Sequence, residues 1–262
     1  MPVKLICASH SPLMEFASPQ RAEQETNVRA AFEKMAAEVK AFDPTLIITF
    51  GPDHFNGFFY DLMPSFCVGI RATAAGDWNY GAENNKINVP EETALHLVRR
   101  VLDEGVDVAY SYRMQADHGV TQPLHFLCDG QLDRYPTIPV FINGAAAPMP
   151  TTKRTVALGR AIGQFIKSLN LENERVLILG TGGLSHDPPT PQMGSVPPEV
   201  EEFLIAGRNP STEARHARQA KIIAVGQKLA AGDTSVAVPL NAAWDIALLE
   251  TFKNADFAAI EA

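Results

Sequence analysis

The chain has 262 residues, 46% hydrophobic and 20% charged, which is the balance of a globular protein long enough for a sizeable core. Its 22 Lys and Arg against 30 Asp and Glu leave a net charge of −8, which argues against nucleic acid, whose affinity rests on neutralised phosphates. Cys7, Cys67 and Cys128 form no CxxC pair, so a disulfide framework or zinc cluster is not expected and a cytoplasmic setting is; no run reaches the ~18 apolar residues of a membrane span, and "MPVKLICASHSPLM" lacks a signal-peptide core.

In chain order, "VKLICA" (3–8) reads as a strand and 20–42 as a helix, with Val28, Phe32, Met35 and Val39 at steps of three and four. "TLIITF" (45–50) and "PSFCVGI" (64–70) read as strands. Residues 90–105 read as a helix that Pro90 opens and Gly105 ends. "DVAYSYRM" (107–114) and "TIPVFING" (137–144) are strands, 152–169 a helix, and "RVLILGTG" (175–182) a strand. The Pro-rich 187–199 reads as a surface excursion, followed by helices at 213–232 and 242–252. Strands alternating with helices predict an α/β fold: a layered α/β/α arrangement with a central mixed, largely parallel sheet flanked by helices, spanning 1–262 as one domain.

Four of seven histidines fall just after strand-like runs: His10, His54, His118 and His186. Ligands of open α/β sheets bind outside the carboxyl ends of the strands. If these runs share one parallel sheet, the four imidazoles meet on one rim. One histidine after a strand is ordinarily a hydrogen-bonded loop residue, but four together suggest metal ligation and proton transfer. His96 and His216 lie in helical patterns and are expected at the surface. His125 follows His118 by seven, but Pro123 interrupts a helical reading, so it is expected no closer than the surroundings of the site. "GTGGLSH" (180–186) lacks the spacing of a dinucleotide or P-loop motif, Ser185 is not in a GxSxG elbow, and no HExxH occurs.

"SHSPLM" (9–14), "PDHFNGFFYDLMPSFCVG" (52–69), "MQADHGVTQPL" (114–124), "PVFING" (139–144), "GTGGLSH" (180–186) and "NAAWD" (241–245) resemble, in order and over nearly the whole chain, the class III extradiol ring-cleaving dioxygenases. The resemblance implies Fe(II), with O2 as co-substrate, held by two histidines and a glutamate. The matching histidines are His10 and His54. It implies His118 as proton donor and His186 as base, and as substrate a catechol, namely 2,3-dihydroxyphenylpropionate or 2,3-dihydroxycinnamate, cleaved beside its two hydroxyls. It also implies a homo-oligomer. The family's glutamate follows the Asn-x-x-Trp-Asp segment and has no match here, so it is expected beyond residue 262. Glu250 and Glu261 lie outside that context, and Asp53 is expected to support His54 rather than to ligate. Phe55, Phe58, Phe59 and Tyr60 are expected to be mostly core, with one of them at the apolar ring pocket. Arg113 is one candidate among several for the substrate carboxylate and is not assigned. The competing readings are a non-catalytic metal-binding or interaction protein on the same scaffold and a zinc-dependent hydrolase. Four histidines in the matching positions favour the dioxygenase.

Overall fold

The computed structural model describes residues 2–11, 14, 22–80, 85–185 and 190–261. Its main sheet has six strands: β1 (Val3–Ala8), β2 (Leu46–Gly51), β3 (Phe66–Gly69), β6 (Ala109–Ser111), β8 (Thr137–Ile142) and β9 (Val176–Thr181). Their order is β1-β9-β2-β8-β3-β6, and only the β3–β8 pairing is antiparallel. A second sheet joins β5 (Lys86–Ile87), β4 (Ala72–Ala74) and β7 (Met114–Ala116) in that order.

The period-2 alternation of side chains divides the core. Ile47, Leu177 and Leu179 face α1 (Ala22–Phe42) and α3 (His118–Leu127), while Leu46, Ile48 and Val176 face α2 (Glu91–Asp103) and α4 (Thr152–Ser168). In α2 the buried Ala94, Leu97, Val98 and Val101 follow a helical stripe. In α1 only Phe32 and Val39 are buried, and Val28 is exposed. The result is the expected α/β/α layering around a mixed, mostly parallel sheet.

The elements differ from the sequence reading in several places, among them β4, β5 and α8 (Phe257–Glu261), for which no element was expected. "DVAYSYRM" is divided between β6 and β7, which belong to different sheets. The strand before His118 therefore lies outside the main sheet. Residues 118–127 form α3 despite Pro123. Proline lacks the N–H that would bond the Gly119 carbonyl four residues back, and the Thr181 hydroxyl donates to that carbonyl instead. The Pro-rich stretch leads into α5 (Pro198–Ala206), with Pro198 in the first turn where proline is tolerated. Then follow α6 (Thr212–Ala230), α7 (Ala242–Lys253) and α8 (Phe257–Glu261). No helix among the described residues is long and apolar enough to cross a membrane.

Candidate active site

At the end of β2, buried Asp53 accepts the N–H groups of Asn56 (3.1 Å), Gly57 (2.8 Å) and Phe58 (3.1 Å). This carboxylate closes the turn that carries His54. Gly57 is required by close approach: a Cβ there would lie 1.9 Å from the Gln115 carbonyl oxygen at β7. Gly119 is constrained likewise, its Cβ falling 2.6 Å from the Pro52 carbonyl. The His54 turn is thus pressed against the start of α3.

Asp117 is the N-cap of α3 and accepts the Gly119 N–H at 2.8 Å through Oδ1. Its Oδ2 accepts the His54 N–H (2.8 Å), His54 Nδ1 (2.9 Å) and the Asn56 amide (3.1 Å). His118, the first residue of α3, places Nδ1 2.5 Å from Asp77 Oδ2, and its backbone N–H donates to the same oxygen at 3.1 Å. His10, buried beyond β1, sets Nδ1 3.3 Å from the Thr181 hydroxyl at the end of β9. The ring centroids of His10 and His54 are 5.2 Å apart, those of His10 and His118 5.8 Å, and those of His54 and His118 4.3 Å in a stacked pair. Three imidazoles from three elements therefore form one cluster.

Charge within the cluster is unevenly shared. Burial works against ionised Asp117, but His118, His54 and the Asn56 amide outweigh it and hold the carboxyl well below its usual range. Asp53 is pushed up by burial and by the neighbouring Asp117 charge, against three backbone N–H bonds. Burial alone would lower His118, yet Asp117 and Asp77 prevail and raise it. Arg218 of α6 reaches this network, donating to the Phe55 carbonyl (2.8 Å), Asn56 Oδ1 (3.2 Å) and the His54 carbonyl, with its guanidinium 4.9 Å from the Phe203 ring centre.

A cavity of about 1140 Å³ opens at the carboxyl ends of β1, β2, β8 and β9. His10, His54, Pro52 and Gly180–Leu184 form part of its wall, and Gln192, Val236 and Leu249 close it from the C-terminal side. No Asp or Glu is among its described lining residues.

The structure brings His10, His54 and His118 together, whereas His186 lies outside the described residues. His118 arrives from the small sheet rather than the main rim. None of the aromatic run lines the cavity: Phe58 stacks on Phe141 at 3.9 Å, and Phe55 and Phe59 pack with Leu204 of α5. Phe55, Phe58 and Phe59 are core, as expected of most of the run, while Tyr60 is half-buried and donates its hydroxyl to the Ala147 carbonyl at 3.0 Å. Arg113 is exposed on the β6–β7 turn. Glu250 pairs with Lys253 and Glu261 with Arg160. His96 is half-buried against Phe165, His216 is exposed, and His125 packs on Tyr80. Sequence reasoning missed Asp77, Asp117, Asn56 and Arg218. The signal for Asp117 was an acid directly before a site histidine, though the helix it caps was not read, and Asp77 and Arg218 come from remote elements.

The donor chemistry suits a divalent first-row metal. His10 and His54 each have Nδ1 engaged, by Thr181 and Asp117, which directs ligation to Nε2, an arrangement usual for metal-binding imidazoles. Ligand atoms of His54, Asp117 and His118 also lie within 4.8 Å of one another. Asp117, however, already accepts hydrogen bonds on both oxygens. It is placed as the partner of an imidazole rather than as a ligand.

The chain belongs to the family of aromatic ring-opening dioxygenases: the family described as "Catalytic LigB subunit of aromatic ring-opening dioxygenase" matches residues 4–261. That family implies a metal, O2 and a small-molecule aromatic substrate. Among its relatives, a protein from Photorhabdus laumondii is 59% identical over 256 residues, covering 98% of this chain and 78% of its own. One from Paraburkholderia phymatum is 48% identical over 264 residues (100% and 80%), and one from Rhodococcus rhodochrous is 46% identical over 250 residues (95% and 77%). All three are called 2,3-dihydroxyphenylpropionate/2,3-dihydroxicinnamic acid 1,2-dioxygenase.

Proposed function

We propose that the protein is an Fe(II)-dependent extradiol dioxygenase that opens 2,3-dihydroxyphenylpropionate and 2,3-dihydroxycinnamate beside the two hydroxyls, in the catabolism of aromatic compounds. The observation that carries the reading is the cluster of His10, His54 and His118, the first two of which line the cavity, together with the relatives' shared name. His10 and His54 are assigned as iron ligands, and His118 and His186 as the acid/base pair. When bound, Fe(II) supplies the electron transfer between catechol ring and O2 that their spin states otherwise forbid.

The remaining work belongs to the chain. Asp117 keeps the His54 proton on Nδ1 and so leaves Nε2 to the metal. His118, whose pKa Asp117 and Asp77 raise against the effect of burial, is the donor that assists O–O bond cleavage. His186 takes the catechol proton, the role that the family likeness assigns to it. The cavity's predominantly apolar walls, such as Ile142, Leu184 and Val236, receive the ring. We read the protein as cytoplasmic, in keeping with three free thiols, and as a homo-oligomer from the family likeness alone.

The test is anaerobic reconstitution with Fe(II), addition of 2,3-dihydroxyphenylpropionate, and admission of air. A yellow ring-opened product with one O2 consumed per product is expected. Iron-loaded protein that consumes no O2 with either substrate overturns the reading.

A further inference from the structure

Two carboxylate–imidazole pairs lie side by side in this site. Asp117 Oδ2 is 2.9 Å from His54 Nδ1 but 3.6 Å from His118 Nδ1. Asp77 Oδ2 is 2.5 Å from His118 Nδ1. Each imidazole thus has its own carboxylate, and the Asn56 amide joins the two, donating to Asp117 at 3.1 Å and to Asp77 at 3.4 Å.

The backbone around Asp77 is unusual. Gly76 has φ 77°, and the non-glycine residues Trp78 and Asn79 also adopt left-handed φ of 54° and 61°. Such conformations persist only where the surroundings enforce them, and they cluster at functional sites. Here the surroundings do so on both sides. The Ala75 N–H donates to the Ala116 carbonyl at 2.8 Å, and Arg215 donates to the Ala75 carbonyl at 2.6 Å. The turn is therefore tied to the end of β7, two residues before His118. Asp77 is 4% exposed, and its Oδ1 has no hydrogen-bond partner among the described residues. A buried carboxylate with one oxygen unsatisfied is costly for the fold. The other oxygen is spent on His118.

We propose that Asp77 is the positioning residue of His118: it holds the imidazole through Nδ1 and so assigns substrate-proton handling to Nε2, while Asp117 serves the metal-side His54. This rests on the reading of His118 as the acid. Asp77 touches neither metal nor substrate and acts through the imidazole alone.

Two measurements test it on the full chain. In protein labelled with ¹⁵N-histidine, a strongly deshielded Nδ1 proton, assigned by its loss in His118→Gln, is expected to vanish in the isosteric Asp77→Asn. Its persistence there, or its absence from the parent protein, overturns the proposal. In the iron-loaded enzyme, Asp77→Asn is expected to lower kcat about 10–100-fold, with KM and bound iron unchanged. Placed on His118→Ala, the same change is expected to cost nothing further. Loss of iron in Asp77→Asn, or a full additional loss in the double variant, makes Asp77 merely structural and sinks the proposal. If His118→Ala keeps full turnover, the acid assignment fails instead, and the proton resonance still decides whether Asp77 holds the ring.

Discussion

Leu177 of β9 is fully buried, with Val176 and Leu179 beside it equally closed off. In α7 no residue is buried, and Trp244, Ile246 and Phe252 are at least half exposed. The two regions meet at the same site but are joined to it differently. The sheet places His54 by packing, because β2 is closed off between the two helix layers, and it places His10 through the pairing of edge strand β1 with β9. The C-terminal helices and the loop between α5 and α6 grip the site through polar ties. Arg218 holds the carbonyls of the His54 turn, Arg208 donates to the Gly57 carbonyl at 2.6 Å, and Asp245 of α7 takes both the N–H and the hydroxyl of Ser185, at 2.7 and 2.9 Å. Packing supplies stability, and the polar ties supply position.

The contrast is broken most directly by cavity creation. Leu177→Ala is expected to cost about 2–5 kcal/mol in urea unfolding, as large-to-small changes in packed cores do. Phe252→Ala, from the exposed face, is expected within about 0.5 kcal/mol of the parent. Equal losses would show that α7 packs as the sheet does. Arg218→Ala is next in size. It removes hydrogen bonds to the Phe55 carbonyl and Asn56 and exposes the uncompensated charge of the buried carboxylates, for an expected cost of about 2–3 kcal/mol. Because those bonds fix the turn beside His54, iron affinity is expected to fall as well. Full iron occupancy at equal metal concentration would separate the arginine from the site.

The sheet half was largely legible in the sequence. Short β-branched runs bounded by Gly and Pro cannot be amphipathic helices, and each of β1, β2, β8 and β9 falls within a residue or two of its expected place. His10 and His54 could be read as rim residues because they follow such runs. His118 was assigned to the right cluster by a wrong route, since its strand lies in the other sheet. The helix it opens was hidden by Pro123, whose lost hydrogen bond is replaced by Thr181 from β9, about sixty residues away. The aromatic run 55–60 could not be divided between pocket and core, because its partners Phe141, Phe203 and Leu204 come from distant elements. The roles of Asp77 and Arg218 were invisible for the same reason. Each acts across more than forty residues of chain, and periodicity carries no information about such pairings.

A smaller effect sharpens the role of the polar ties. Asp245→Ala is expected to cost only about 1–2 kcal/mol, the scale of a pair of hydrogen bonds. It releases Ser185, whose neighbours Gly182, Gly183 and Leu184 line the cavity. Its expected signature is a raised KM for the catechol with iron content retained. Unchanged kinetics would mean that the cavity wall is held by the sheet alone.

The thiols give the gentlest probe, because they report on packing without altering it. Cys67 and Cys128 are buried, and burial pushes both thiols up to about 12, while Cys7 is exposed at the cavity wall and is also raised by partial burial. At pH 8 about one in ten thousand of the buried thiols is the reactive thiolate. A thiol reagent is therefore expected to modify one cysteine per native chain quickly and the other two only as the chain unfolds. The same shift fixes a sign in stability. The unfolded chain releases these protons near pH 8.5, before the folded one does, so the contribution of both thiols is intact below that pH and is lost as pH rises toward 12. A second fast-reacting thiol in the native protein would mean that the sheet half, like α7, is open to solvent, and the contrast between the two regions would fall.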